Sequence, residues 1–238
     1  MGQQEQQVAI ITGGSQGIGA GLVAGYREQG WAVVATSRTI KPAADSDVLT
    51  VDGDVSDPAT TDRIIAGALG RFGRIDTLVN NAGVFLSRPF TDYTAEDYAL
   101  MVGVNLTGFF WLTQRAVAEM LKRGHGHVVN ITTTLVDNAS SSAPSVLTAL
   151  TKGGLAAATR SLAIEYASRG IRVNAVSPGI IQTPAHPPES YAALGPQLPP
   201  LGHVGQVSDI VNGILFLESS PFITGEVLHI DGGQIAGH

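Results

Sequence analysis

Thr12-Gly13-Gly14-Ser15-Gln16-Gly17-Ile18-Gly19 has the composition of an anion-binding turn. The apolar run Val8-Ala9-Ile10-Ile11 leads into it, and an amphipathic helical pattern from Ala20 to Gln29 leads out. Strand, glycine turn and helix in that order suit a dinucleotide. Glycines let the backbone approach a pyrophosphate, and the start of the helix turns free N–H groups and a positive dipole end toward it. Gly13, Ser15, Gln16, Gly17, Ile18 and Gly19 are the candidate contacts. The next apolar run, Trp31-Ala32-Val33-Val34-Ala35, ends at Thr36-Ser37-Arg38. An acidic residue at that strand end would take the ribose 2′-hydroxyl of NAD. Ser37 and Arg38 offer a hydroxyl and a guanidinium fork, which suit a 2′-phosphate. NADP(H) is therefore predicted in preference to NAD(H), the alternative for Arg38 being a solvated loop arginine.

Two more polar positions sit where chemistry is possible. Asn80-Asn81-Ala82-Gly83 closes the apolar run Asp76-Thr77-Leu78-Val79, at the carboxyl end of a strand, where open α/β sheets bind ligands. Asn105 lies inside a helical pattern that disfavours it, so it is either a tolerated residue or a side chain turned into a site.

The elements that must hold these residues alternate along the chain. Further strands are expected at Val48–Val51, His127–Thr132, Ile171–Val176 and Val227–Ile230. Asp57-Pro58 opens a helix with an apolar face through Ile64, Ile65 and Leu69, because Asp caps well and Pro fits the first turn. Helical patterns also span Thr94–Arg123, interrupted near Gly103 and Gly108, Val146–Ser168 and Ser208–Leu217. This alternation predicts one α/β domain over residues 1–238, a doubly wound Rossmann-type sheet of about seven mostly parallel strands with helices on both faces. Residues 184–203 are Pro-rich and weakly apolar and read as a substrate lid.

Composition narrows the function classes. The net charge of −6 and the lack of Lys/Arg runs argue against nucleic acid. There is no cysteine, hence no disulfide framework and no thiolate metal site, and no metal site is expected. No apolar segment reaches membrane-spanning length, and residues 1–7 carry no apolar signal core, so a cytoplasmic protein is expected.

Taken together, the glycine turn, Asn80-Asn81-Ala82-Gly83, Asn105, Lys152, Pro178-Gly179-Ile180-Ile181-Gln182-Thr183 and Asp231-Gly232-Gly233 resemble the short-chain dehydrogenase/reductase family over nearly the whole chain. The resemblance implies an NAD(P)(H)-dependent oxidoreductase acting on a small or apolar carbonyl or alcohol, working as a homotetramer or dimer. It implies cofactor contacts at Asp54, Val55, Asn80, Asn81, Ala82, Gly83, Lys152, Pro178, Gly179, Ile180, Ile181 and Thr183.

The resemblance also implies a catalytic Tyr four residues before the Lys, one helical turn away on the same face. Thr148 stands there, in Leu147-Thr148-Ala149-Leu150-Thr151-Lys152. Neither Lys41 nor Lys122 has a Tyr four residues before it, and Tyr166 lies 14 residues past Lys152. An aliphatic hydroxyl is a far weaker acid than a phenol and shorter by a ring. The family's carbonyl-polarising Ser corresponds best to Thr133, with Thr134 as the neighbour. The expected catalytic set is thus Asn105, Thr133, Thr148 and Lys152, with a proton from an ordered water or from His186 or Tyr191 of the lid. The competing reading is a dinucleotide-binding sensor or assembly subunit without redox turnover.

Overall fold

The computed structural model describes residues 5–184 and 199–237. Seven strands form one parallel sheet: β1 (Val8–Thr12), β2 (Ala32–Ser37), β3 (Val48–Asp52), β4 (Thr77–Asn80), β5 (Gly126–Ile131), β6 (Ile171–Pro178) and β7 (Val227–Ile230). Their order is β3-β2-β1-β4-β5-β6-β7. The chain reverses direction across the sheet between β1 and β4, so a crevice opens at the carboxyl ends of those two strands.

Strand periodicity decides which residue feeds which layer. Val8, Ile10 and Val34 pack with Ile64 of α2 (Pro58–Phe72) and with Leu112 and Met120 of α4 (Gly108–Arg123). Ala9, Ile11, Val33 and Ala35 face the other way, onto Leu22 of α1 (Gly17–Glu28) and Ile210 and Ile214 of α6 (Val207–Ser219). All seven of these strand side chains are at most 1% exposed. Both faces of the sheet are covered, which is why its strands read as continuous apolar runs.

Local signals set the helix ends. Asp57 accepts a hydrogen bond from the Ala59 N–H at 2.9 Å with Pro58 behind it, and Gly73 stops α2 at φ +75°. Thr94 opens α3 (Ala95–Val102) with a reciprocal capping box to Asp97. The interruption expected in the 94–123 pattern is a π-helical turn, Gly103–Thr107, with Asn105 inside it. Gly108 restarts the helix where a Cβ would press on Val55 at 2.9 Å. β6 extends two residues past the expected Val176, because Ser177 and Pro178 pair with His229 and Ile230 of β7. β5 ends one residue before the expected Thr132.

At the opposite end of the sheet, Glu218 of α6 closes the two layers. Its Oε2 accepts from Tyr26 Oη at 2.8 Å and Thr77 Oγ1 at 2.9 Å, and lies 3.2 Å from His127 Nδ1. Burial pushes this carboxyl up, but His127, Tyr26 and Thr77 together outweigh it and hold it below the usual range. Its stabilisation is therefore present above the unfolded-state value and is lost as pH falls through the native one. Glu218→Ala strands three buried polar groups, and urea unfolding is expected to lose about 3–5 kcal/mol; a loss below about 1 kcal/mol would show that the cluster contributes little.

Candidate active site

The glycine turn is built by a threonine and an asparagine. Thr12 Oγ1 accepts from the backbone N–H of Asn81 at 3.0 Å and of Ala82 at 2.9 Å. Asn81 Nδ2 donates back to the Thr12 carbonyl at 2.8 Å. The ends of β1 and β4 are thereby locked together. Gly13 sits at φ +69°, and a Cβ there would lie 2.9 Å from Asn81 Nδ2. A Cβ on Gly19 would collide with the Gly13 carbonyl. These two positions need glycine for close backbone approach as well as for the turn. Gln16 precedes α1 in an extended conformation, with no side-chain cap and no acidic residue in the first turn. The free N–H groups of α1 thus face a groove of about 420 Å³.

That groove collects most of the expected contacts. Gly13, Ser15, Gln16, Gly17, Ile18 and Gly19 form one wall, Ser37, Arg38, Asp54 and Val55 the next, and Asn81, Ala82, Gly83 and Thr183 the rest. Thr39, Gly53, Val84 and Val104 also line it, and no sequence motif marked them. Asp54 accepts from Ser56 Oγ at 2.7 Å and Ser56 N at 2.9 Å. The Ser56 hydroxyl first, and Arg38 nearby, hold this carboxyl below its ordinary value. Arg38 and Asp54 therefore set the local charge at this end of the groove.

Other expected contacts serve the site from behind. Asn80 is buried, with Nδ2 donating to Thr113 Oγ1 and Asn130 Oδ1, each at 2.9 Å, so its side chain ties β4 to α4 and β5. Pro178 is buried at the end of β6, and Gly179 N donates to the Ile230 carbonyl at 3.0 Å. Ile180 N donates to Gln234 Oε1 at 3.2 Å. Ile181 bridges to Gly205 and packs on the α1/α6 core. This segment frames the groove and presents Thr183 to it.

The second half of the site lies on α5 (Val146–Tyr166). Lys152 is 8% exposed, and its Nζ donates to the Ile131 carbonyl at 2.7 Å. Burial lowers its ammonium from 10.5 to about 8. A Cβ on Gly83 would lie 2.9 Å from Nζ and 3.3 Å from Asn105 Oδ1, so Gly83 leaves the space these groups occupy. Asn105 is fully engaged: Oδ1 accepts from Val84 N at 2.9 Å, and Nδ2 donates to the Val84 carbonyl at 3.0 Å and Thr151 Oγ1 at 3.1 Å. Its side chain positions the β4–α3 segment. Lys152, Asn105, Thr12 and Asn80 border a cavity of about 10 Å³, close to the room one water needs.

Thr148 does not border that cavity, contrary to the expectation that it orders a water with Lys152 and Asn105. It is 2% exposed, and its hydroxyl donates to the Leu86 carbonyl at 3.4 Å. The segment following β4 lies over it. Thr133 caps the short turn Thr134–Val136, its Oγ1 accepting from Leu135 N at 3.4 Å, and it remains half-buried, whereas Thr134 is buried. Residues 185–198, with His186 and Tyr191, lie outside the described residues; Pro184 and 199–203 are the parts of the expected lid within them. Among the described residues no group of His, Asp and Glu could hold a metal ion, and no helix is long and apolar enough to cross a membrane.

The residues present fit a dinucleotide. The glycine cradle would be filled by two Cβ atoms, an uncapped helix start faces the groove, and a buried cation lies at its far end. Comparison with known proteins agrees. A family model described as enoyl-(acyl carrier protein) reductase matches residues 13–234. The (2S)-[(R)-hydroxy(phenyl)methyl]succinyl-CoA dehydrogenase subunit BbsD of Thauera aromatica is 34% identical over 243 residues, spanning 97% of each chain. The solved structure of ElxO with NADP bound has a TM-score of 0.88 and 31% identity, covering 98% of this chain and 100% of its own. A 3-ketoacyl-(acyl-carrier-protein) reductase from Brucella melitensis complexed with NADH has a TM-score of 0.87 and 28% identity, covering 97% and 99%.

Proposed function

This chain belongs to the short-chain dehydrogenase/reductase family, and from that membership we propose that it is an NADP(H)-preferring oxidoreductase that interconverts a small or apolar carbonyl compound and its alcohol. The observation that carries the reading is Lys152. A buried ammonium beside Gly83, at the nicotinamide end of a dinucleotide groove, has the Ile131 carbonyl but no carboxylate as its partner, and burying such a charge costs stability.

When bound, the reduced nicotinamide supplies a hydride. The rest falls to the chain's own residues. Thr133 offers a hydroxyl to the carbonyl oxygen. Lys152 holds a positive charge near the oxygen that gains electron density, and proximity supplies much of the rate. Thr148 stands where the family places its proton-donating Tyr, one turn before Lys152. An aliphatic hydroxyl with its proton on the Leu86 carbonyl is a poor acid for that task. Residues 184–203 we read as the substrate lid.

The first test is consumption of NADPH by the purified protein with a panel of ketones, aldehydes and quinones. Tight NADPH binding with no consumption on any of them would move the protein to the class of non-catalytic dinucleotide binders. Arg38 lines the groove with no acidic residue at Ser37, and this supports NADP(H) over NAD(H). Arg38→Ala is expected to weaken NADPH binding about tenfold or more while changing NADH binding little. Equal losses in fluorescence titrations of the two cofactors would overturn the preference.

A homo-oligomer is supported by apolar side chains on the two helices flanking the site. Phe110 of α4 is 53% exposed, and Leu150 and Ile164 of α5 are 56% and 82% exposed. Sedimentation at micromolar concentration is expected to show a dimer or tetramer, and a monomer would sink this part of the reading.

A further inference from the structure

We propose that Gln234 is a positioning residue for the cofactor, setting the segment after β6 against the groove from the far end of the chain. This rests on the cofactor assignment of the oxidoreductase reading above.

Segment 179–183 leaves β6 outside any strand or helix and reaches the groove at Thr183. Thr183 sits against the glycine turn, where a Cβ on Gly17 would lie 3.5 Å from its side chain. A segment of this kind takes its position from ties to its neighbours. On one flank Gly205 N donates to the Ile180 carbonyl at 2.9 Å, and Gln182 N donates to the Gly205 carbonyl at 2.8 Å. On the other flank Gln234 Oε1 accepts from Ile180 N at 3.2 Å. The segment leaves room for that amide, since a Cβ on Gly179 would collide with Gln234 Oε1. The motif Asp231-Gly232-Gly233 stops one residue short of Gln234.

Gln234 is itself held in place. Asp231 caps the turn after β7, its Oδ1 accepting from Gly233 N and its Oδ2 from Ile235 N, each at 2.9 Å. The Gln234 carbonyl accepts from Asn138 Nδ2 at 2.7 Å, and His229 Nε2 lies 3.2 Å from Asp137 Oδ2. These contacts fasten the turn to the connection after β5 that carries Thr133. The described end of the lid rests on the same turn. Leu201 N donates to the Gly232 carbonyl at 3.2 Å, and a Cβ on Gly232 would lie 2.7 Å from Pro199 Cβ. One turn therefore meets the β6 exit, the β5–α5 connection and the lid, and the Gln234 amide carries its hold on the segment that lines the groove.

Removing the amide takes the acceptor from Ile180 N and loosens one flank of the segment. Thr183 is then set less precisely against the cofactor. A small misplacement of this kind costs affinity at the end of the ligand it faces and spares the other end.

The test titrates two ligands. NADPH spans the groove, and adenosine 2′,5′-bisphosphate carries only the adenosine half. Gln234→Met keeps the stem and removes the acceptor. It is expected to weaken NADPH binding about five- to tenfold, the range of one lost hydrogen bond, and to change bisphosphate binding less than about twofold. Gln234→Glu returns an acceptor of the same reach and is expected to restore NADPH affinity to within about twofold of wild type. Unchanged NADPH binding in Gln234→Met, or equal losses for the two ligands, would make Gln234 a tie of the C-terminal turn and overturn the proposal. A Gln234→Glu protein as weak as Gln234→Met would overturn it too. These titrations need no turnover. A wild type that binds NADPH and consumes none with any carbonyl fails the oxidoreductase reading and leaves the result for Gln234 standing.

Discussion

Thr148→Tyr is expected to raise carbonyl reduction by about 10²-fold, the low end of what a well-placed general acid contributes. The physical reason is acidity and reach. A phenol titrates near ~10 and is pulled lower by a neighbouring cation, which Lys152 supplies one turn along α5. The structure also sets a cost. Thr148 is 2% exposed, with the Leu86 carbonyl 3.4 Å from its hydroxyl. A ring fits only if the Leu86 segment moves, and that segment is anchored at the Pro144 carbonyl. A stability loss of about 1–3 kcal/mol is expected with the rate gain, as for other overpacked sites. The measurement is kcat/KM with NADPH and 9,10-phenanthrenequinone for wild type and variant. An unchanged rate, with NADPH binding retained, would mean that position 148 is not where the acid is missing.

Lys152→Met is expected to remove about 10²–10⁴-fold of turnover, the range of a lost charged group at a reacting centre. Methionine keeps most of the stem and removes the ammonium. The wild-type pH dependence carries the same information. Burial lowers the Lys152 ammonium from 10.5 to about 8, so carbonyl reduction should fall as pH rises through about 8. Stability moves the other way. From about 8 to 10.5 the folded protein has released this proton while the unfolded chain still holds it, so the fold gains stability as pH rises across that window. Lys152→Met should lose both dependences and unfold at no lower temperature than wild type. A variant that keeps the fall in reduction near pH 8 would assign that limb to another group.

The fold was legible because its signals are local. The seven apolar runs, Asp57-Pro58 before α2 and the glycine turn each specify their own element from neighbouring residues, and the parallel sheet follows from their alternation. β6 was extended where a partner decided it, at Ser177 and Pro178, which pair with β7. Asn105 was legible as a misfit in a helix. The π-helical turn and the double clamp on Val84 are its tertiary explanation.

By itself, the sequence determined a glycine turn suited to a dinucleotide, and it put Thr148, not a Tyr, four residues before Lys152. Glycines, caps and a fixed helical spacing write that information into contiguous residues. Three things were decided only by the tertiary structure. Asn80 and Asn81 turn their amides inward, as braces for the strands and the glycine turn. Thr148 is covered by the segment after β4, and Tyr93, far from Thr148 in the chain, shares the Leu86 carbonyl with it. Such contacts join residues tens of positions apart through a single shared acceptor, and neither periodicity nor motif spacing encodes a meeting of that kind.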